Sequence, residues 1–307
     1  MIERNPVLTA VCHLILVVGA LLVCAPLYFA FVAGSHTGPE MQQVPQPMLP
    51  GNQFLHNLAI AWETAGFGRA FVNTVLVSCA IVVGKIALSI LAGFAITYFR
   101  FPFRMTAFWL IFMSLMLPVE VRIVPTYEAV ADAAGPLRWL LQATGLAALV
   151  QALAGVDVHA GLKFSLVDTY SGLTLPLIAS ATAVFLFRQF FLTIPDDLCE
   201  AAKLDGAGPM RFLRDVVLPL SVPNIAALAI ILFIYGWNQY LWPLLFTTQK
   251  DMTTVIIALK GLLPGPMDPA EWWSYAMAAS FIVMLPPAFV ILALQRWFAR
   301  GLVDAGK

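Results

Sequence analysis

Few residues in this chain are of a type that does chemistry, and none is spaced for breaking bonds. The sharpest pattern is Glu200-Ala201-Ala202, followed by Asp205-Gly206-Ala207 and then by Leu218-Pro219. The glutamate offers a carboxylate for charge-assisted contacts. The two alanines leave room for a close approach, and the glycine lets the backbone bend. Asp196 and Asp197 place negative charge where the unpaired N–H groups of a helix start would point. Gly208-Pro209 then allows a second helix, Met210 to Leu218, that stops at Pro219. The run Glu200–Pro223 therefore predicts two short helices joined by a glycine bend. Two cations stand inside or beside apolar runs, Lys85 and Arg122. If the chain carries an anion, both are candidates to meet it. Asn238 and Gln239 lie in another apolar run and need hydrogen-bond partners there. All four also have a structural reading. Lys85 can pair with a carboxylate or carbonyl in a bundle, Arg122 can be one of two interfacial charges with Glu120, and the amides can bond between helices.

The rest of the chain holds no catalytic constellation. A phosphate-cradling G-x-x-x-x-G-K-S/T loop is missing, as are H-E-x-x-H and the serine elbow G-x-S-x-G. His13, His36, His56 and His159 are far apart, and Cys12, Cys24, Cys79 and Cys199 show no metal-ligand spacing. The chain thus reads as a non-enzyme without a metal or cofactor of its own. A formal net charge of zero gives no basic surface for nucleic acid.

The elements that carry these residues are set by composition. Of 307 residues, 61% are hydrophobic and 11% charged, and the mean hydropathy is +0.86. A soluble domain carries about 25% charge, so this is an all-α, polytopic membrane protein. Six apolar runs of spanning length are predicted, at about 10–32, 71–99, 105–124, 172–190, 222–246 and 273–294. They form one transmembrane domain over 10–307, after a short polar terminus at 1–9. The first run is longer than the core of a cleavable leader and reads as a retained span. Residues 54–65 suit a short helix at the interface. The stretch 137–156 is apolar enough to imitate a span, but a crossing there would invert all that follows, so it reads as interfacial or re-entrant. Six crossings place both termini and the 191–221 loop on one face. That face carries ten lysines and arginines and the other face six, with Lys85 inside a span. The positive-inside rule puts the termini and the polar loop in the cytoplasm.

The Glu200–Pro219 pattern resembles the EAA loop of ABC importer permeases: the triplet, a glycine four residues on, and an apolar-x-Leu-Pro ending at Val216–Pro219. Pro118–Thr126, Phe185–Phe191 and Tyr235–Leu244 resemble the sugar and sugar-phosphate branch of that family. The resemblance implies the type I importer permease fold in a bacterial inner membrane. It implies a heterodimer with a homologous permease, two copies of an ATPase that bind the ATP, and a periplasmic or lipid-anchored substrate-binding protein. Residues Glu200, Ala201, Ala202, Asp205, Gly206, Ala207, Leu218 and Pro219 would then couple to the ATPase, with Glu200 in its surface groove. Lys85, Arg122, Asn238 and Gln239 are candidates for the substrate path. The implied cargo is glycerol 3-phosphate or a glycerophosphodiester. A neutral sugar or oligosaccharide is the alternative within the family, and a standalone secondary carrier or a membrane scaffold is the alternative outside it. One departure is that the segment at about 136–164 looks longer than such subunits carry, and it faces the periplasm in this topology.

Overall fold

The computed structural model describes residues 6–154, 164–263, 265 and 271–304, and every regular element among them is helical. Four helices are long and apolar enough to cross a membrane: Pro6–Gly34, Phe67–Tyr98, Pro209–Trp237 and Trp272–Arg296 within Glu271–Asp304. A fifth candidate is composite. Tyr170–Ile178 and Ala181–Phe191 meet at a 46° bend. The expectation of six simple spans therefore becomes four long helices and one bent pair.

The differences have local causes. The run 105–124 is not a single helix but Arg104–Met113, a 3-10 turn Ser114–Met116, and Val119–Ala131. Pro118 holds the preceding Leu117 extended (φ −79°, ψ 117°), which ends one helix and opens the next. In the 172–190 run the break falls at Ala179, also extended, and Ser180 caps the second half by accepting from the Ala183 N–H at 3.3 Å.

The run 222–246 is displaced as well. Its helix begins at Pro209 and stops at Trp237, and Leu241–Phe246 is a separate turn. The sequence predicts a short second helix ending at Pro219, but the structure carries one helix straight through Pro219 and Pro223. A π turn at Leu213–Val217 makes this feasible, with the Leu218 N–H bonded to the Leu213 carbonyl. Pro219 has no N–H to give the turn before it, and a widened turn absorbs both the lost bond and the ring.

The stretch 137–156 forms two short helices, Gly135–Ala143 and Leu146–Ala154. Residues 155–163 of the expected insertion, and 1–5 of the expected polar terminus, lie outside the described residues.

The chain divides into two compact units, 1–71 with 255–286, and 72–254 with 287–307. In the first, Phe281 meets Phe31 and Phe54 edge to face, and Asn57 donates to the carbonyls of Gly34 and His36 at 2.9 and 2.8 Å. These bonds satisfy carbonyls freed where the Pro6–Gly34 helix ends. The rest of that helix leaves its apolar side chains open, Leu22 and Val23 being 70% and 74% exposed. An all-round apolar helix of this kind belongs in hydrocarbon.

Two of the hydrophobic cores in the second unit bear on the site. One joins Phe94, Phe187, Phe191, Phe212, Val217 and Leu232, which come from the 67–98, 181–191 and 209–237 helices. The other joins Val77, Ile81, Leu173, Trp242 and Phe246, with Trp242 stacked on Phe246 at 3.9 Å between ring centroids.

Candidate functional site

Two places in the second unit gather the residues that the sequence singles out. The first is the polar loop. Asp196–Leu204 forms a helix with Asp196 and Asp197 in its first turn and Lys203 in its last, so both ends complement the helix dipole. It stops in a two-bond C-cap. The Gly206 N–H donates to the Lys203 carbonyl at 3.0 Å and the Ala207 N–H to the Ala202 carbonyl at 2.9 Å. Gly206 has φ +72°, the left-handed conformation that this cap requires and that glycine adopts without strain. Gly208 and Pro209 then open the next helix.

No residue of the Asp196–Leu204 helix is buried. Glu200, Ala201, Asp205 and Gly206 are exposed. Ala202 instead packs with Cys199 and Leu218 against the chain's own core, so only Ala201 of the alanine pair stays on the outward face. Pro219 is exposed and Ala207 half-buried. The sequence reading missed two apolar side chains on this polar surface, Leu204 at 89% exposure and Met210 at 63%. The available signal was a leucine placed next to Asp205-Gly206.

The second place is a cationic cluster. The Lys85 side chain is 7% exposed near the middle of the 67–98 helix. Its ammonium lies over the Tyr235 ring, 4.1 Å from the centroid. The helices approach closely at Gly236, where a Cβ would stand a tight 3.1 Å from the Ser78 backbone. Ser78 and Lys85 are seven residues apart and so share a helix face, which aims Lys85 along the 209–237 helix at Tyr235. Arg122, in the first turn of the Val119–Ala131 helix, exerts its charge on both Lys85 and Tyr235. Gln239 donates to the Tyr235 carbonyl at 3.2 Å, and its side chain also engages the Tyr235 phenol.

Three of the four expected path residues thus converge, with Tyr235 between them. Asn238 is at the exposed end of the 209–237 helix. Among the described side chains no carboxylate pairs with Lys85 or Arg122. A buried ion costs several kcal/mol to desolvate, whereas a desolvated cation–π contact returns about 2 kcal/mol. The cluster is left with a demand for negative charge. Tyr235 was not among the expected path residues, because a tyrosine in an apolar run looks like packing.

A further polar clasp ties two loops of the same unit. Asp168, at φ +57°, accepts from the Thr248 and Gln249 N–H groups at 2.6 and 3.0 Å and from the Thr248 hydroxyl at 2.5 Å. These donors favour the ionised form, and the Thr248 hydroxyl above all holds the carboxyl below its ordinary range. Beside it, the Tyr170 hydroxyl donates to Asn73 Oδ1 at 2.7 Å, and Asn73 Nδ2 donates to the carbonyls of Asp251 and Thr253.

Comparison with known proteins places the chain in a family. The family model for the binding-protein-dependent transport system inner membrane component matches residues 85–304. Permease proteins of sn-glycerol-3-phosphate transport systems, named UgpE, from Rhizobium meliloti (strain 1021) and Agrobacterium fabrum (strain C58 / ATCC 33970) are 45% and 46% identical. Each alignment covers all of both chains. A Yersinia pestis permease of the same name is 45% identical, again over both full lengths. Among solved structures, a bacterial ABC transporter involved in the import of the acidic polysaccharide alginate superposes with a TM-score of 0.69 at 17% identity. That match covers 97% of this chain and 99% of that one. The chain belongs to the binding-protein-dependent transport system inner membrane components, as a multi-pass, non-catalytic permease subunit of an ABC importer.

Proposed function

We propose that this permease subunit carries sn-glycerol 3-phosphate into the cytoplasm. The carrying observation is identity of 45–46%, over both full lengths, to permeases named for that cargo. The cationic cluster of Lys85 and Arg122 supports it, because a phosphoryl group needs positive partners. In this reading Lys85, Arg122 and Gln239 line the path, with Asn238 at its edge.

The bent pair 170–191 counts as one crossing and the broken run 104–131 as another, which makes six. The termini and the 191–221 loop then face the cytoplasm, and the segment at about 136–164 faces the periplasm. The working machine is a heterodimer with a homologous permease, two ATPase copies and a periplasmic or lipid-anchored binding protein. Glu200, Ala201 and Leu204 dock on one ATPase. Gly206 sets the angle of the docked helix, and closure of the ATPases rocks the spans through the rigid 209–237 helix.

The test is uptake by proteoliposomes containing all subunits. Radiolabelled glycerol 3-phosphate should accumulate only with ATP and binding protein present. Uptake of maltose in its place would transfer the assignment to a neutral sugar. Transport by this chain alone, without an ATPase, would make it a secondary carrier and end the proposal.

A further inference from the structure

We infer that Lys85, Arg122, Tyr235 and Gln239 form a phosphate-receiving site inside the permease, where the Tyr235 ring holds the Lys85 ammonium until an anion displaces it. The inference rests on the cargo reading above and adds the atoms that meet the cargo. Four observations converge on it. Lys85 lies near the middle of a spanning helix and is 7% exposed, yet no carboxylate among the described side chains pairs with it. Its ammonium rests on an aromatic face, a partner that holds a cation without neutralising it. Arg122 brings a second positive charge to the same place, although like charges repel and gain nothing from proximity unless an anion sits between them. Arg122 is also in the first turn of its helix, so the unpaired N–H groups there add positive potential.

The parts have distinct tasks. The Lys85 ammonium is a point charge for the phosphoryl oxygens, and the Arg122 guanidinium is a planar fork that binds two of them. Gln239 brings an amide that reaches the ester oxygen or a glycerol hydroxyl. Tyr235 is half-open, at 38% exposure, so an anion can reach the ammonium over its ring. Weak holding followed by displacement suits a carrier, because an anion bound too tightly at mid-membrane would never leave.

The experiment measures glycerol 3-phosphate uptake by the complete complex in proteoliposomes, with assembly checked by size-exclusion chromatography. Lys85→Met and Arg122→Gln should each lower uptake about tenfold or more, the effect of one lost charge-assisted contact. Lys85→Arg and Arg122→Lys, which keep the charge, should recover most of the loss. Wild-type uptake by both neutral variants would overturn the site while leaving the cargo reading standing. A Lys85→Arg variant as poor as Lys85→Met would show that Lys85 is there for packing, and would overturn it too. If Lys85→Met fails to assemble, Arg122→Gln decides alone, because Arg122 is exposed and its replacement leaves no cavity. A wild-type complex that takes up no glycerol 3-phosphate overturns the cargo reading, and the assigned occupant with it.

Discussion

Lys85 and Asp168 are two ionised side chains with opposite surroundings. Asp168 has three donors within 3.0 Å, all from Thr248 and Gln249, and its need for partners is met inside the chain. Lys85 has an aromatic face and a neighbouring cation, and no carboxylate among the described side chains pairs with it. On the proposed reading, Asp168 is a structural charge and Lys85 a functional one. For Asp168 the sign of the pH effect follows directly. Its folded-state pKa is depressed, so the clasp contributes stability fully above the ordinary carboxylate range and loses it as pH falls through the folded value. The contribution should therefore stay constant from pH 8 down to about pH 5 and fade only in stronger acid. Asp168→Asn isolates the charge, since asparagine tolerates φ +57° as aspartate does. The variant should show faster amide exchange at Thr248 and Gln249 with the rest of the unit unchanged. Unaltered protection at those two amides would count against the clasp.

Among the elements, the polar loop is the most completely specified by local rules. Its charges match the helix dipole, its C-cap takes glycine at the left-handed position, and Pro209 occupies the first position of the following helix. A Cβ on Gly206 would meet nothing within 4 Å, so Gly206→Ala is strained only through its backbone, by about 1–2 kcal/mol. That variant should leave capture by the binding protein intact and lower uptake, and Gly206→Val should abolish it. Normal uptake by Gly206→Val would remove the lever role of the loop. The bend in the 170–191 pair depends instead on one cap. Ser180→Ala removes the acceptor for the Ala183 N–H and should cost about 1 kcal/mol, read as a lower melting temperature of the complex.

At the scale of the whole molecule, orientation and docking can be tested together at Leu204, which is 89% exposed. In membranes from cells lacking the ATPase, Leu204→Cys should react with an impermeant maleimide in inside-out vesicles and stay unreactive in intact cells. Added ATPase should protect it. Labelling from outside would invert the topology, and labelling undiminished by the ATPase would remove Leu204 from the docking surface. The variant is made together with Cys199→Ala, because Cys199 is half-buried in the same helix, whereas Cys12, Cys24 and Cys79 lie within the long apolar helices and should give no background on either side.

Composition and short-range pattern determined much by themselves. Hydrocarbon satisfies no backbone polar group, so long apolar runs must be helices, and their number and the loop charges outline a polytopic protein. The EAA loop was equally legible, because caps, a glycine bend and a helix dipole involve residues only a few positions apart. The breaks at Leu117 and Ala179 were harder to read. One needed Pro118 recognised as a stop and the other Ser180 recognised as a cap, within runs whose mean hydropathy passes smoothly over both. The passage of one helix through Pro219 needed the π turn, which no local propensity announces. The meeting of Lys85 with Arg122, Tyr235 and Gln239 was decided by tertiary structure alone. Periodicity says which residues share one helix face, but only packing, here the approach at Gly236, says which faces meet and whether a buried charge finds a partner.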